Sequence, residues 1–534
     1  MHYTLLKFLL LLSAAFILIL LARRLKIAYP IFLVVAGLII SIIPGMPVIN
    51  ITPELIFLIF LPPLLYEAAW WTSWNEFWKW KRPISLLGFG LVFCTSTVVA
   101  YTVSSFIPGF TLATGFLLGG IISPPDAIAA SSVLKTIRVP KRITTILEGE
   151  SLVNDAASLT VFRFALAAAV TAGTFSFQEA SISFVTVTLM GIVVGLAVAQ
   201  IVYLIHRFLP TTASIDSAFT LISPYLMYLA AEEFHFSGVM AVVSGGLFLS
   251  YRSHEIFTSG QSRLQTINVW STISIILNGF VFILIGLELP AVVAGLEGYS
   301  LAEATKYGLL VSLMVIVIRM LWMYPGTFIP RWLFKSVRRK EAKPGWKGPF
   351  IIGWAGMRGV VSLAAALSLP LTLDNGNPLP ERNLIIFITF VVILVTLVFQ
   401  GLTLPLIIRL LKIEEIDPMV PEEKQEAEIH VRIINAALQR LDEKYQSEML
   451  NNDLLLNLKL EFQNHLSHTH LKLDCMECLE KDQRELQVYR HVLKDIYHVQ
   501  RRELFHIRKE KMYSDEAIRK EEMQVDIAEV RINS

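Results

Sequence analysis

The run Glu148-Gly149-Glu150-Ser151-Leu152-Val153-Asn154-Asp155 sets three carboxylates inside an apolar stretch. On a helix Glu148 and Asp155 share a face, and Ser151 lies one turn before Asp155 on it. Asn154 and Glu150 share a second stripe. A carboxylate in hydrocarbon must be neutralised, by a proton or by a small cation in its place. Proton and cation then compete for one group, so a single acid can exchange them. A hard cation takes oxygen ligands. Asp155, Asp126, Ser151 and freed backbone carbonyls can supply them.

Such carbonyls need an interrupted helix, and two stretches predict one. Gly119-Gly120-Ile121-Ile122-Ser123-Pro124-Pro125-Asp126 contains two prolines that lack N–H groups and leave earlier carbonyls unpaired. Gly353-Trp354-Ala355-Gly356-Met357-Arg358-Gly359 sets three glycines around one arginine. Free carbonyls at membrane depth are tolerated where they line a cavity or bind a cation. A kink or a close-packing glycine is the bland reading of either break alone.

The elements that carry these groups are membrane spans. Hydrophobic residues make up 54% of the 534 and charged ones 17%, against about 25% charge in soluble domains. Mean hydropathy is +0.58. A net charge of +2 argues against a nucleic-acid partner, and three cysteines exclude a disulfide framework. Thirteen segments approach the length of a crossing helix: 3–22, 28–45, 53–71, 84–107, 111–134, 144–172, 180–207, 216–233, 237–251, 265–290, 303–328, 348–373 and 384–411. Ala22-Arg23-Arg24 reads as a membrane boundary rather than a cleavage site. The two breaks fall in segments five and twelve, matched positions if segments 1–6 and 8–13 are inverted repeats.

Basic residues crowd alternate loops: Arg23 and Arg24, Lys79 to Arg82, Lys135 to Arg142, Arg207, Arg252 and Arg263, Arg331 to Lys347, Arg409 and Lys412. The opposite loops hold little beyond Lys306 and Arg382. With thirteen spans this predicts an external N-terminus and a cytoplasmic C-terminus. Residues 413–534 hold 26 of the 44 acidic and 18 of the 46 basic residues. The expected division is therefore a transmembrane domain, 1–412, and a cytoplasmic helical domain, 413–534.

Arg358 at the bilayer centre calls for an acid, with Glu150 and Glu148 as candidates. Arg319 with Glu288 is a further pairing, unless Arg319 snorkels to a helix end. Glu67, after Pro62-Pro63, reads as structural.

Phe60–Ala68 (FLPPLLYEA), Gly149–Ala156 (GESLVNDA), Ser237–Leu247 (SGVMAVVSGGL) and Gly356–Ala364 (GMRGVVSLA) resemble, in this order, the monovalent cation:proton antiporter-1 family of Na⁺/H⁺ exchangers. The resemblance implies an all-α polytopic fold of two inverted six-helix repeats with discontinuous crossing helices. It implies a homodimer in the plasma membrane that exchanges Na⁺, Li⁺ or K⁺ for H⁺ and serves pH and sodium homeostasis. It makes Asp155 the exchanging carboxylate and Asn154 its neighbour. Asp126 then lies at the crossing, Ser151 is a ligand, and Glu150–Arg358 is a structural ion pair. An Asn–Asp pair goes with electroneutral exchange in the family. One departure is Pro125, where many members carry a threonine.

In the tail, Ile429, Ile433, Ile434, Ala437 and Leu441 recur at helical spacing, and further helices are expected at 450–478, 481–510 and 515–530, the last capped by Ser514-Asp515. No cofactor is required. The cluster His465, His468, His470, Cys475 and Cys478 offers zinc ligands. On one unbroken helix it would span roughly 20 Å, so a turn near 469–474 or a second subunit is needed. The bland reading is a solvated helix with ordinary His and Cys. Two other classes compete with the antiporter: a membrane sensor signalling through the tail, and a membrane zinc enzyme. Against the second, no His-Glu-x-x-His occurs.

Overall fold

The computed structural model describes residues 2–43, 53–171, 177–333, 345–372, 378–413, 422–449 and 452–477, apart from isolated positions within them, and scattered residues beyond. The expected helices at 481–510 and 515–530, the Ser514-Asp515 cap, Arg138 and Cys478 lie largely or wholly outside these residues. The described chain is helical, with one isolated β-bridge, Thr372 to Pro378. It divides into two compact units, Met1–Ile416 and Asp417–Ser534.

In the first unit the helices are α1 (His2–Leu25), α2 (Tyr29–Ser41), α3 (Pro53–Trp71), α4 (Trp74–Lys79) and α5 (Lys81–Phe106). The interrupted pair α6 (Leu112–Ile122) and α7 (Ala127–Leu134) follows, then α8 (Lys141–Thr171), α9 (Phe177–Phe208), α10 (Ala213–Glu233), α11 (Gly238–Tyr251) and α12 (Ser253–Ile256). After α13 (Gly260–Leu287), α14 (Leu289–Ala294) and α15 (Leu301–Leu333) comes a second interrupted pair, α16 (Lys347–Trp354) and α17 (Val360–Leu367). α18 (Arg382–Leu411) closes the unit. The described parts of the apolar segments fall on these helices, with 111–134, 265–290 and 348–373 each divided between two of them. Seven described stretches are long and apolar enough to cross a membrane, and α2 and α11 are shorter apolar helices.

Local chemistry sets the ends. Thr111 and Thr114 form a reciprocal capping box at α6, and Thr212, Ser237 and Ser259 cap α10, α11 and α13. Side chains pack into two main clusters. One joins α5, α6, α8, α15 and α18; the other joins α3, α9, α10 and α11. Glycine brings backbones together where lipid offers no hydrophobic drive. A Cβ on Gly37 or Gly286 would strike the facing helix, and one on Gly119 would strike Ser96. α5 and α18 each contain a π-helical turn, Leu86–Leu91 and Val395–Gln400. The second faces the α16/α17 break through Thr396.

In the second unit, α19 (Glu422–Lys444) and α20 (Asp453–Glu477) pack together, with Lys459 paired to Asp442 at 2.6 Å. Ala427, Ile434 and Leu441 form the buried stripe of α19, whereas Ile429 and Ile433 face outward.

Candidate functional site

The two interruptions meet. After α6 the Ser123 amide still donates to Gly119 O at 3.0 Å, and helical pairing stops there because two prolines without N–H groups follow. The freed carbonyls are taken up by side chains from other helices. Asn154 Nδ2 on α8 donates to Pro125 O at 3.2 Å. Arg358, in the second interruption, donates from Nε to Ile122 O at 3.0 Å and from Nη2 to Ser123 O at 3.4 Å. The Asp126 amide donates to Met357 O at 2.6 Å, which ties the breaks backbone to backbone. Asp126 then caps α7, its Oδ1 accepting from Ile128 N at 2.8 Å. Gly359 must lack a side chain, because a Cβ would fall on the Asp126 carboxylate.

Asp126, Ser151 and Asp155 line one cavity of about 490 Å³. Asp155 is 6% exposed and carries no permanent countercharge among its described hydrogen bonds and ion pairs. Asp126 Oδ2 and Asn154 Oδ1 are buried oxygens with no hydrogen-bond partner. A buried acceptor left open is costly, and for Asp126, which lines the cavity, a cation or proton bound there would relieve that cost. Asn154 itself stands behind the crossing, holding Pro125, and is not among the cavity-lining residues.

Glu67, read from the sequence as structural, reaches the same cavity from α3, and Glu148 and Lys135 line it too. Its sequence signal was thin: an acid beside a double proline marks no partner. The structure brings it opposite α7 and α8 by tertiary packing alone.

The expected Glu150–Arg358 pair is not formed. Glu150 pairs in bidentate fashion with Arg319 of α15, the Nη2–Oε2 contact being 2.8 Å, and both are fully buried. Arg319 also donates to Ile352 O and Gly353 O at the end of α16. The reason is where each arginine sits. Arg358 lies in a break, where unpaired carbonyls at Ile122, Ser123 and Gly356 satisfy a guanidinium without an acid. Arg319 sits within an intact helix whose own carbonyls are used, so it takes the carboxylate. The Arg319–Glu288 alternative falls with the same observation.

The zinc geometry fails at its turn. α20 runs helical through 469–474 to Glu477, where a single-chain site would have to bend. Among the described residues no group of three or more His, Cys, Asp or Glu could hold a metal. His465 and His470 are exposed.

A multi-pass helical membrane unit with buried acids beside two crossed helix breaks defines a cation-handling transporter fold. The chain belongs to the sodium/hydrogen exchanger family, whose transmembrane profile matches residues 11–410. The family is one of monovalent cation/proton antiporters, which are transporters and not enzymes. A sodium, potassium, lithium and rubidium/H⁺ antiporter of Bacillus pumilus is 35% identical over 395 residues, covering 71% of this chain. That match spans 58% of the Bacillus protein's length. An uncharacterised Na⁺/H⁺ exchanger of Mycobacterium bovis is 31% identical over 519 residues, 96% of this chain and 93% of the relative. In fold, the sodium proton antiporter of Methanocaldococcus jannaschii at pH 8 superposes with a TM-score of 0.59 at 20% identity, over 76% of this chain and 98% of the other. The sensor reading finds no support in these relatives, and the zinc-enzyme reading none in the site.

Proposed function

We propose that the protein exchanges cytoplasmic Na⁺, with Li⁺ and K⁺ as further candidates, for external H⁺ across the plasma membrane. Asp155 carries proton and cation in turn. Asp126 and Ser151 complete the cation's oxygen shell, and Asn154 positions the broken helix behind them. The Glu150–Arg319 pair is structural. Thirteen spans in two inverted repeats, an external N-terminus, a cytoplasmic tail and a homodimer complete the reading, which suits pH and sodium homeostasis. The observation that carries it is the shared cavity of Asp126 and Asp155 at the crossed breaks. The cavity also includes Trp71, Thr72 and Lys135, on the side assigned to the cytoplasm. On this reading the cavity extends toward the cytoplasmic side. In everted vesicles holding a preformed pH gradient, added Na⁺ should dissipate the gradient. No dissipation by Na⁺, Li⁺ or K⁺ would remove the antiporter assignment.

A further inference from the structure

Among the described residues that line the cavity of Asp126 and Asp155 are four acids, Glu67, Asp126, Glu148 and Asp155, and a single base, Lys135. A lysine is out of place in a cavity that takes cations, since it repels what the acids attract. Lys135 is the C-cap of α7, where a positive charge suits the helix dipole. The dipole explains a basic residue at that point but not its direction. The ammonium acts electrostatically on Glu67 of α3 and on Glu148 of α8, two other walls of the cavity. Its side chain is therefore turned inward. Among the described residues it makes no direct ion pair, so its charge is not spent on one acid.

The helices place this charge relative to the deep acids. Lys135 lies nine residues after Asp126, roughly 14 Å along α7, and Glu148 lies seven before Asp155, roughly 10 Å along α8. Lys135 and Glu148 are exposed, whereas Asp155 is buried. The two exposed groups thus stand at the mouth with opposite charges.

Four carboxyl groups around one cavity suit a divalent ion as well as Na⁺, because hard divalent cations take several carboxylate oxygens. A fixed positive charge acts on an ion in proportion to that ion's own charge, so it penalises a divalent ion twice as much in free energy. We propose that Lys135 is a specificity-determining residue, which keeps divalent cations out of this cavity and leaves it to monovalent ones. The inference rests on the cavity being the cation site and adds what selects among cations there. Glu148 is the counterweight, offsetting part of the repulsion so that Na⁺ still enters.

The test reads binding rather than transport. Radioactive Na⁺ is bound at equilibrium to the purified protein, with unlabelled Na⁺ or Mg²⁺ as competitor and choline chloride holding the ionic strength constant. Excess Mg²⁺ should displace little Na⁺ from the native chain. Lys135→Gln keeps a polar side chain and removes the charge. It should tighten Na⁺ about fivefold and Mg²⁺ about 25-fold, the second factor being the square of the first. Lys135→Arg should bind both ions as the native chain does. Glu148→Gln is the mirror variant and should weaken Na⁺ about fivefold and Mg²⁺ about 25-fold. Ready displacement by Mg²⁺ from the native chain, equal factors for the two ions in either variant, or no change in Lys135→Gln overturns the proposal. Undiminished Na⁺ binding by Asp155→Asn would instead count against the ion-site reading, and the ratio of the two factors at Lys135 is read independently of it.

Discussion

Glu150 and Asp155 stand five residues apart on α8, and both are buried, yet their surroundings are opposite. Glu150 is closed off by a bidentate arginine that also clamps the end of α16. Asp155 faces a cavity, with Asp126 across it and no arginine in contact. A buried charge needs a partner, and what distinguishes the two acids is whether that partner is covalently part of the chain. A permanent partner makes an acid a bracket. On the proposed function, an acid without one is neutralised alternately by H⁺ and by a metal ion, and that alternation is exchange. Asp126 lies between the extremes, with one oxygen spent on the α7 cap and the other open.

The comparison breaks most visibly at Asp155. On the proposed function Asp155→Asn removes the group for which proton and cation compete, so exchange in everted vesicles should fall to the background of protein-free membranes. The variant should still fold, because no ion pair is lost. Normal transport by well-expressed Asp155→Asn protein would show that the exchanging acid lies elsewhere.

The bracket fails differently. Arg319→Ala leaves Glu150 charged, buried and alone, at a cost of roughly 3–5 kcal/mol. A lowered melting temperature in detergent, with poor yield, is the expected result. Replacing both, as Glu150→Leu with Arg319→Met, should recover most of that stability, since a buried pair is often no better than a packed apolar one. Equal melting of Arg319→Ala and the native chain would refute the bracket.

Much of this site is legible in the sequence. Pro124-Pro125 and the Gly356–Gly359 cluster mark both interruptions, because they act through backbone chemistry local to the chain. The acids of α8 are marked by depth in an apolar run. The partner of Glu150 is not legible. Arg319 and Arg358 are both deep arginines in the sequence, and choosing between them needs the knowledge that Arg358 would find carbonyls at Ile122 and Ser123, over 200 residues away. Glu67 escaped for a similar reason, since its place in the cavity is set by how α3 packs. Ile429 and Ile433 on α19 show the limit of periodicity: helical spacing gives a stripe but not its centre.

A surface acid sharpens the contrast at smaller scale. Glu255 on α12 accepts from the Tyr203 hydroxyl and pairs with Arg252 and Arg207, and these hold its carboxyl below the usual range. A depressed value means that its stabilising contribution is present above the unfolded carboxylate value of about 4.3 and is lost as pH falls through the folded one. Being solvated, it should matter little. Melting curves of Glu255→Gln and the native chain should differ slightly at neutral pH and converge progressively below about pH 4. A gap that widens on acidification would reverse the sign of the contribution.

The smallest expected effect is that of membrane potential, which should have none on the end point of exchange. Asp126 Oδ1 accepts an N–H bond at the start of α7, a role that suits a carboxylate and needs no proton. Kept ionised, Asp126 contributes the same charge whether the cavity holds a metal ion or a proton. Asp155 with Na⁺ and Asp155 with H⁺ are then equally neutral, and Asn154 adds no charge. The two loaded forms would carry identical charge across the membrane, and the expected ratio is one H⁺ for each cation. The rival is that Asp126 also releases a proton in each cycle, its open Oδ2 being the place to hold it. Two protons per cation would move net charge, and the potential would then shift the final Na⁺ gradient. In proteoliposomes clamped with K⁺ and valinomycin, and with Na⁺ as the transported ion, the gradient reached should be the same at every imposed potential. A gradient that follows the potential would make Asp126 a second proton carrier, and it would place that acid with Asp155 rather than between Asp155 and Glu150.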